Sequence, residues 1–162
     1  MTDLLILPPA LGVLGMVVAI IIYMIVKTYD PGSDALKKIA DAIHEGAMVF
    51  MKREYTQLAI FALVLVVAIY FSLGSSTAIA FLAGALSSAC AGWFGMYTAT
   101  QANVRTTNAA HTDGQASALS VAFFGGSIMG LAVASLGLIG LGSVYYFFGG
   151  DPETAHHIHG FG

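Results

Sequence analysis

Charge is what this chain has least of. Charged side chains make up 9% of its 162 residues, against about 25% in soluble globular proteins. Six lysines and arginines stand against nine aspartates and glutamates, for a formal charge of −3. So few basic groups, with no basic patch, exclude a nucleic-acid footprint. Cysteine is scarcer still: Cys90 stands alone inside an apolar run. An intrachain disulfide is therefore excluded, and a lone cysteine in such a setting reads as a small hydrophobe. The Gly-x-x-x-x-Gly-Lys phosphate loop is missing. His44-Glu45 is followed by Met48 where a zinc-protease helix carries its second histidine,.

Apolar residues are what is abundant, at 57% of the chain, with a mean hydropathy of +0.82. Four runs approach or exceed the roughly 20 residues that cross about 30 Å of hydrocarbon. They are Leu4 to Val26, Leu58 to Leu73, Thr77 to Ala102 and Ala116 to Phe148. The first has no basic lead-in and no small-residue cleavage site, so it reads as a retained span and not a signal peptide. The fold expected is all-α integral membrane, with no separate soluble domain. No ionisable residue falls in the deep part of any run. Ion pathways need such groups inside the bundle, which disfavours a self-contained pump, an antiporter or a small multidrug transporter.

Local signals organise the rest. Pro8 and Pro9 suit the first turn of span one. Asp30-Pro31-Gly32-Ser33 is a turn, with Ser33 or Asp34 able to cap the next helix. Leu36, Ile39, Ile43, Ala47 and Phe50 then recur at helical spacing as one apolar stripe,. Asp34 precedes Lys38 by four residues, the favourable order for a weak ion pair. A helix unbroken from residue 34 to Leu73 has about 40 residues and a length of about 60 Å, so half of it must project into the cytoplasm. Gly74-Ser75-Ser76 permits only a tight turn, making spans two and three a hairpin. Gly84, Ser88 and Gly92 in span three, and Gly126, Gly130 and Ala134 in span four, form small-residue ridges that let helices approach closely in lipid. Tyr97, Thr98, Thr100, Gln101 and Asn103 read as an interfacial polar zone.

All six basic residues lie in connections 27–57 and 103–115, on one side of the membrane. The other side receives Asp3, Asp151 and Glu153. The positive-inside rule then predicts both connections in the cytoplasm and both chain ends outside. His156, His157 and His159 read as a solvated extracytoplasmic loop, since the segment has no cysteine or spaced carboxylate set to complete a metal site. Nothing in the chain qualifies as a catalytic, cofactor-binding or metal-binding residue.

Several blocks, correctly ordered over about 110 residues, carry a resemblance. Glu45-Gly46-Ala47 through Phe50 to Arg53-Glu54-Tyr55 resembles the second helix of the membrane-bound, ion-translocating inorganic pyrophosphatases. Phe81-Leu82-x-Gly84-Ala85-x-x-Ser88 and Ala91-Gly92-x-x-Gly95-Met96 resemble the third. Ala99-Thr100-x-Ala102-Asn103-Val104-Arg105-Thr106 with Ala109-Ala110 is similar to the connection that follows. Gly125-Gly126-Ser127-x-Met129-Gly130 and Leu136-Gly137-Leu138-x-Gly140-Leu141 are similar to the fourth helix.

The resemblance implies a bundle of about sixteen helices, an inner ring within an outer one, in a homodimer. It implies hydrolysis of magnesium-bound pyrophosphate on the cytoplasmic side, driving protons or sodium ions outward. Mg2+ is then held by residues beyond this chain, with K+ as a second ion some members need, in the plasma membrane. The family topology agrees with the external N-terminus read from charge. Gly160-Phe161-Gly162 looks like the start of the fifth helix, and the acidic, lysine-containing pyrophosphate motif is expected after it. No family catalytic residue maps onto a position here, so the expectation is an N-terminal, mainly scaffolding stretch of a longer pump. The alternative is a complete, non-enzymatic four-helix scaffold or assembly protein in the membrane.

Overall fold

A computed structural model describes residues 2–148 and 155–162, with side chains from 6 to 148 and from 158 onward. The described chain is four α-helices, α1 (Thr2–Thr28), α2 (Asp34–Leu73), α3 (Ser75–Thr112) and α4 (Gln115–Phe148), then a 3-10 turn at Ala155–Gly160. All four α-helices are long and apolar enough to cross a membrane.

The helix ends follow from local chemistry. Ser33 caps α2, its Oγ accepting the Leu36 N–H at 3.4 Å. Asp34 is the first helical residue, and its carboxylate meets Lys37 at 3.3 Å in place of the expected Lys38. The Asp30 side chain accepts the Gly32 N–H at 2.9 Å, closing the turn around Gly32 at φ +88°. One residue, Gly74 at φ +93°, separates α2 from α3; that φ is ordinary for glycine and costly for any residue with a Cβ. Pro8 and Pro9 do not sit in a first turn, because α1 begins at Thr2 and places both inside the helix. Their missing N–H donors are tolerable where neighbouring helices cover the gap, and Gly142 of α4 receives the Pro9 ring: a Cβ there would lie 2.7 Å from Pro9 Cδ.

The stretch 103–115, expected as a connection, is mostly helix. α3 runs to Thr112, leaving only Asp113 and Gly114 before α4. Its polar side chains do not break the helix because they turn back onto it. The hydroxyls of Thr106, Thr107 and Thr112 donate to carbonyls four residues earlier, at 3.0, 3.0 and 3.1 Å, a pattern helices accept. α2 and α3 therefore both extend past membrane thickness, and Thr100, Val104 and Thr107 of α3 lie beside Leu36, Ile39 and Ile43 of α2, although Ile39 and Ile43 stay exposed.

In space the helices run α2, α3, α4, α1, with α1 against α4 and α2 against α3; α1 and α2 do not pack together. One core cluster joins Val26, Ala102 and Ile128, backed by Ile22, Tyr23 and Phe124. A second joins Ala109, Ala118 and Val121 with Tyr29. Small residues set the closest approaches. A Cβ on Gly12 would lie 2.7 Å from the Ser135 carbonyl oxygen, and one on Gly125 would lie 2.6 Å from Ala102 Cβ.

The predicted ridges fare unequally. Gly84 faces the Phe161 backbone and Gly92 faces the Tyr55 hydroxyl, but Ser88 between them is exposed. In α4 the expected ridge points away from the bundle: Gly126, Gly130 and Ala134 are all exposed. The buried face is instead Gly125, Ile128, Ala132, Ser135 and Gly142, on nearly the opposite side of the helix from it, about 170° round.

Candidate functional site

Polar side chains gather where the α1–α2 loop meets α3. Arg105 enters this region from α3 at 8% exposure. Its Nε donates to the Tyr29 carbonyl at 3.2 Å and its Nη1 to the Gln101 carbonyl at 2.7 Å. One helical turn on, Asn108 Nδ2 donates to the Asp30 carbonyl at 3.1 Å, while its Oδ1 fills the space beside Gly32 that a Cβ would take. Two α3 side chains thus hold the α1–α2 loop by its backbone. They line an open cleft with Tyr29, Asp30, Thr112 and Asp113. Among the described residues the only ion pair is Lys37–Asp34, so the Arg105 charge is met by carbonyl dipoles and not by a carboxylate.

A second polar contact joins α2 to α3. The Thr100 hydroxyl donates to the Tyr97 carbonyl at 2.9 Å, which leaves its oxygen to accept. His44 Nδ1 lies within hydrogen-bond distance of that oxygen, at 2.7 Å. The imidazole meets the Tyr97 ring edge-on at 5.2 Å, and Tyr97 stacks on Trp93 at 5.5 Å. Further down the hairpin the Tyr55 hydroxyl donates to the Ala89 carbonyl at 2.8 Å. His44–Thr100 and Tyr55–Ala89 obey one antiparallel register.

The carboxylates do not converge. Asp41, Glu45 and Glu54 are exposed along α2, and Asp113 is exposed beyond α3. Among the described residues no three of His, Cys, Asp and Glu come close enough to hold a metal ion. A magnesium ion clamping phosphate oxygens therefore does not fit these side chains. His159 is exposed, while the side chains of His156 and His157 lie outside the described ones. The roles of Arg105 and Asn108 were not read from the sequence, where Arg105 counted only as one more cytoplasmic charge. The available signal was an arginine and an asparagine one turn apart on a helix face otherwise rich in alanine.

Comparison with known proteins places this arrangement. The family described as inorganic H+ pyrophosphatase matches residues 13–162. A K(+)-insensitive pyrophosphate-energized proton pump 2 of Moorella thermoacetica is 42% identical over 160 residues, 95% of this chain and 23% of the relative. A putative K(+)-stimulated pyrophosphate-energized sodium pump of Clostridium tetani is 39% identical over 93% of this chain and 22% of the relative. A K(+)-stimulated sodium pump of Thermotoga maritima is 44% identical over 121 residues, 73% of this chain and 16% of the relative. The chain thus spans under a quarter of the length of these relatives. With four membrane-length helices and a match across nearly all of them, this is an integral membrane protein belonging to the inorganic H+ pyrophosphatase family.

Proposed function

We propose that these helices form the N-terminal portion of a pump that couples hydrolysis of inorganic pyrophosphate to outward translocation of protons or sodium ions. The observation that carries this reading is a family match over residues 13–162 by relatives about four times longer. In this reading the four helices are scaffold within the larger bundle of a homodimer in the plasma membrane, with Thr2 and Gly162 on the extracytoplasmic side. The scaffold role is supported by what the side chains do: Arg105, Asn108, His44 and Tyr55 all bond to neighbouring helices or their connection. Magnesium, and potassium where it is needed, then bind residues outside this stretch. The relatives include both K(+)-insensitive proton pumps and K(+)-stimulated sodium pumps, so neither coupling ion is favoured.

The test compares membranes carrying the product of the intact gene with membranes carrying residues 1–162 alone. The first should show magnesium-dependent pyrophosphatase activity and a pyrophosphate-driven ion gradient, and the second neither. Turnover by residues 1–162 alone would overturn the scaffold role. An intact gene product of about the present mass, 16.8 kDa, with no activity would support a self-contained membrane scaffold in place of the pump.

A further inference from the structure

The shared register of the two α2–α3 contacts sets the depth of side chains along the hairpin. With His44 opposite Thr100 and Tyr55 opposite Ala89, Lys52 lies level with Gly92 and Arg53 with Ala91. Trp93 is therefore at their height, 46% exposed and stacked on Tyr97. Tryptophan and tyrosine at one level, next to cations, mark the interface between hydrocarbon and water. Lys52 and Arg53 are both exposed, and among the described residues neither has a carboxylate within ion-pairing distance, Glu54 included. Exposed apolar side chains flank them on both sides along α2, with Val49 and Phe50 before and Leu58 and Phe61 after.

We propose that Lys52 and Arg53 form a headgroup site for anionic phospholipid, with Trp93 at its edge. Cations standing over an exposed apolar surface match a phosphate joined to acyl chains. A free phosphate satisfies the cations and leaves the apolar half unmet. Basic residues at such a surface each favour anionic over neutral lipid by roughly fivefold. The site depends on the membrane reading of α2 and not on the proposed pyrophosphate chemistry.

Trp93 supplies the probe. The protein is reconstituted into bilayers holding phosphatidylglycerol or phosphatidylcholine with dibrominated chains at equal mole fraction. Quenching is read as the difference between the protein and its Trp93→Phe variant. The brominated phosphatidylglycerol should quench Trp93 more strongly, and Lys52→Gln and Arg53→Gln should each reduce that preference about fivefold. Lys37→Gln and Lys38→Gln, about 22 Å further along the helix axis, should leave it intact. With Lys52 and Arg53 in place, 1 M salt should abolish the preference, because screening then acts within about 3 Å; this arm needs neither glutamine variant to fold. Equal quenching by both lipids overturns the proposal. So does a preference untouched by both glutamines and by salt, or an absence of quenching by either lipid, which means protein covers this face.

Discussion

Arg105 is a charged side chain 8% exposed whose main partners are two backbone carbonyls, with the Gln101 side-chain oxygen at 3.5 Å as a third. Removing it takes this donor from the Tyr29 carbonyl, which borders an open cleft where water can partly replace it, at a cost of about 1–2 kcal/mol. Lysine at this position keeps the charge but not the fork, so one ammonium cannot serve both carbonyls as guanidinium does. Arg105→Met should lower the thermal midpoint in detergent, and Arg105→Lys should recover only part of the loss. Both should speed protease cleavage at residues 29–33, because the loop is held through its backbone. Asn108→Ala should give a smaller effect in the same direction. Equal midpoints and equal cleavage for all four proteins would contradict the clamp. The Arg105 contact could not be read from sequence: its nearest partner outside its own helix is 76 positions away, and a backbone carbonyl leaves no residue-type signature.

At the scale of the helix, what was legible is existence and hairpin order; what was not is direction and, for α3, extent. Gly84, Ser88 and Gly92 recur every four residues, yet only Gly92 meets another helix, while Gly84 faces the turn at Phe161. Gly126, Gly130 and Ala134 recur the same way and face outward. A four-residue period announces that a face is flat without saying which neighbour uses it. In water, polarity on the opposite side settles the question, but α4 is apolar all round and carries two small-residue faces. The extent of α3 was misread for the converse reason: threonine and asparagine thin the apolar signal without ending the helix. A paired substitution separates the faces of the bundle. Gly12→Ala drives a Cβ to 2.7 Å from a carbonyl oxygen and 3.1 Å from the Ile139 nitrogen, backbone atoms that cannot rotate away. It should destabilise by about 1–3 kcal/mol, as overpacking does. Gly130→Ala meets nothing within 4 Å and should be neutral or stabilising by up to about 1 kcal/mol, from helix propensity. Unfolding midpoints in one detergent check both, and a reversed order would place α1 on the other face of α4.

For the molecule as a whole, the basic residues fall at one end. Lys27 closes α1, Lys37 and Lys38 open α2, and Arg105 lies near the close of α3, whereas no lysine or arginine lies at the end where α2 turns into α3. The positive-inside rule makes the first end cytoplasmic. In a Cys90→Ala background, Thr2→Cys and Thr154→Cys should react with an impermeant thiol reagent outside intact cells, and Thr112→Cys should not. Labelling at 112 from outside would invert or break the four-span arrangement.

The spatial order α2, α3, α4, α1 also has a consequence in time. α1 is made first, yet the notch at Gly12 and Gly15 is filled by Ser135, a residue synthesised more than a hundred positions later. At about 5–20 residues per second, α1 waits roughly 6–24 s before α4 is complete to receive it. During that interval α2 and α3 can already close their hairpin through Gly74, so α4, made after both, is the helix that unites two independently inserted parts. A ribosome stalled after α3 should therefore leave a finished hairpin beside an orphan helix, tethered by the loop that Arg105 grasps.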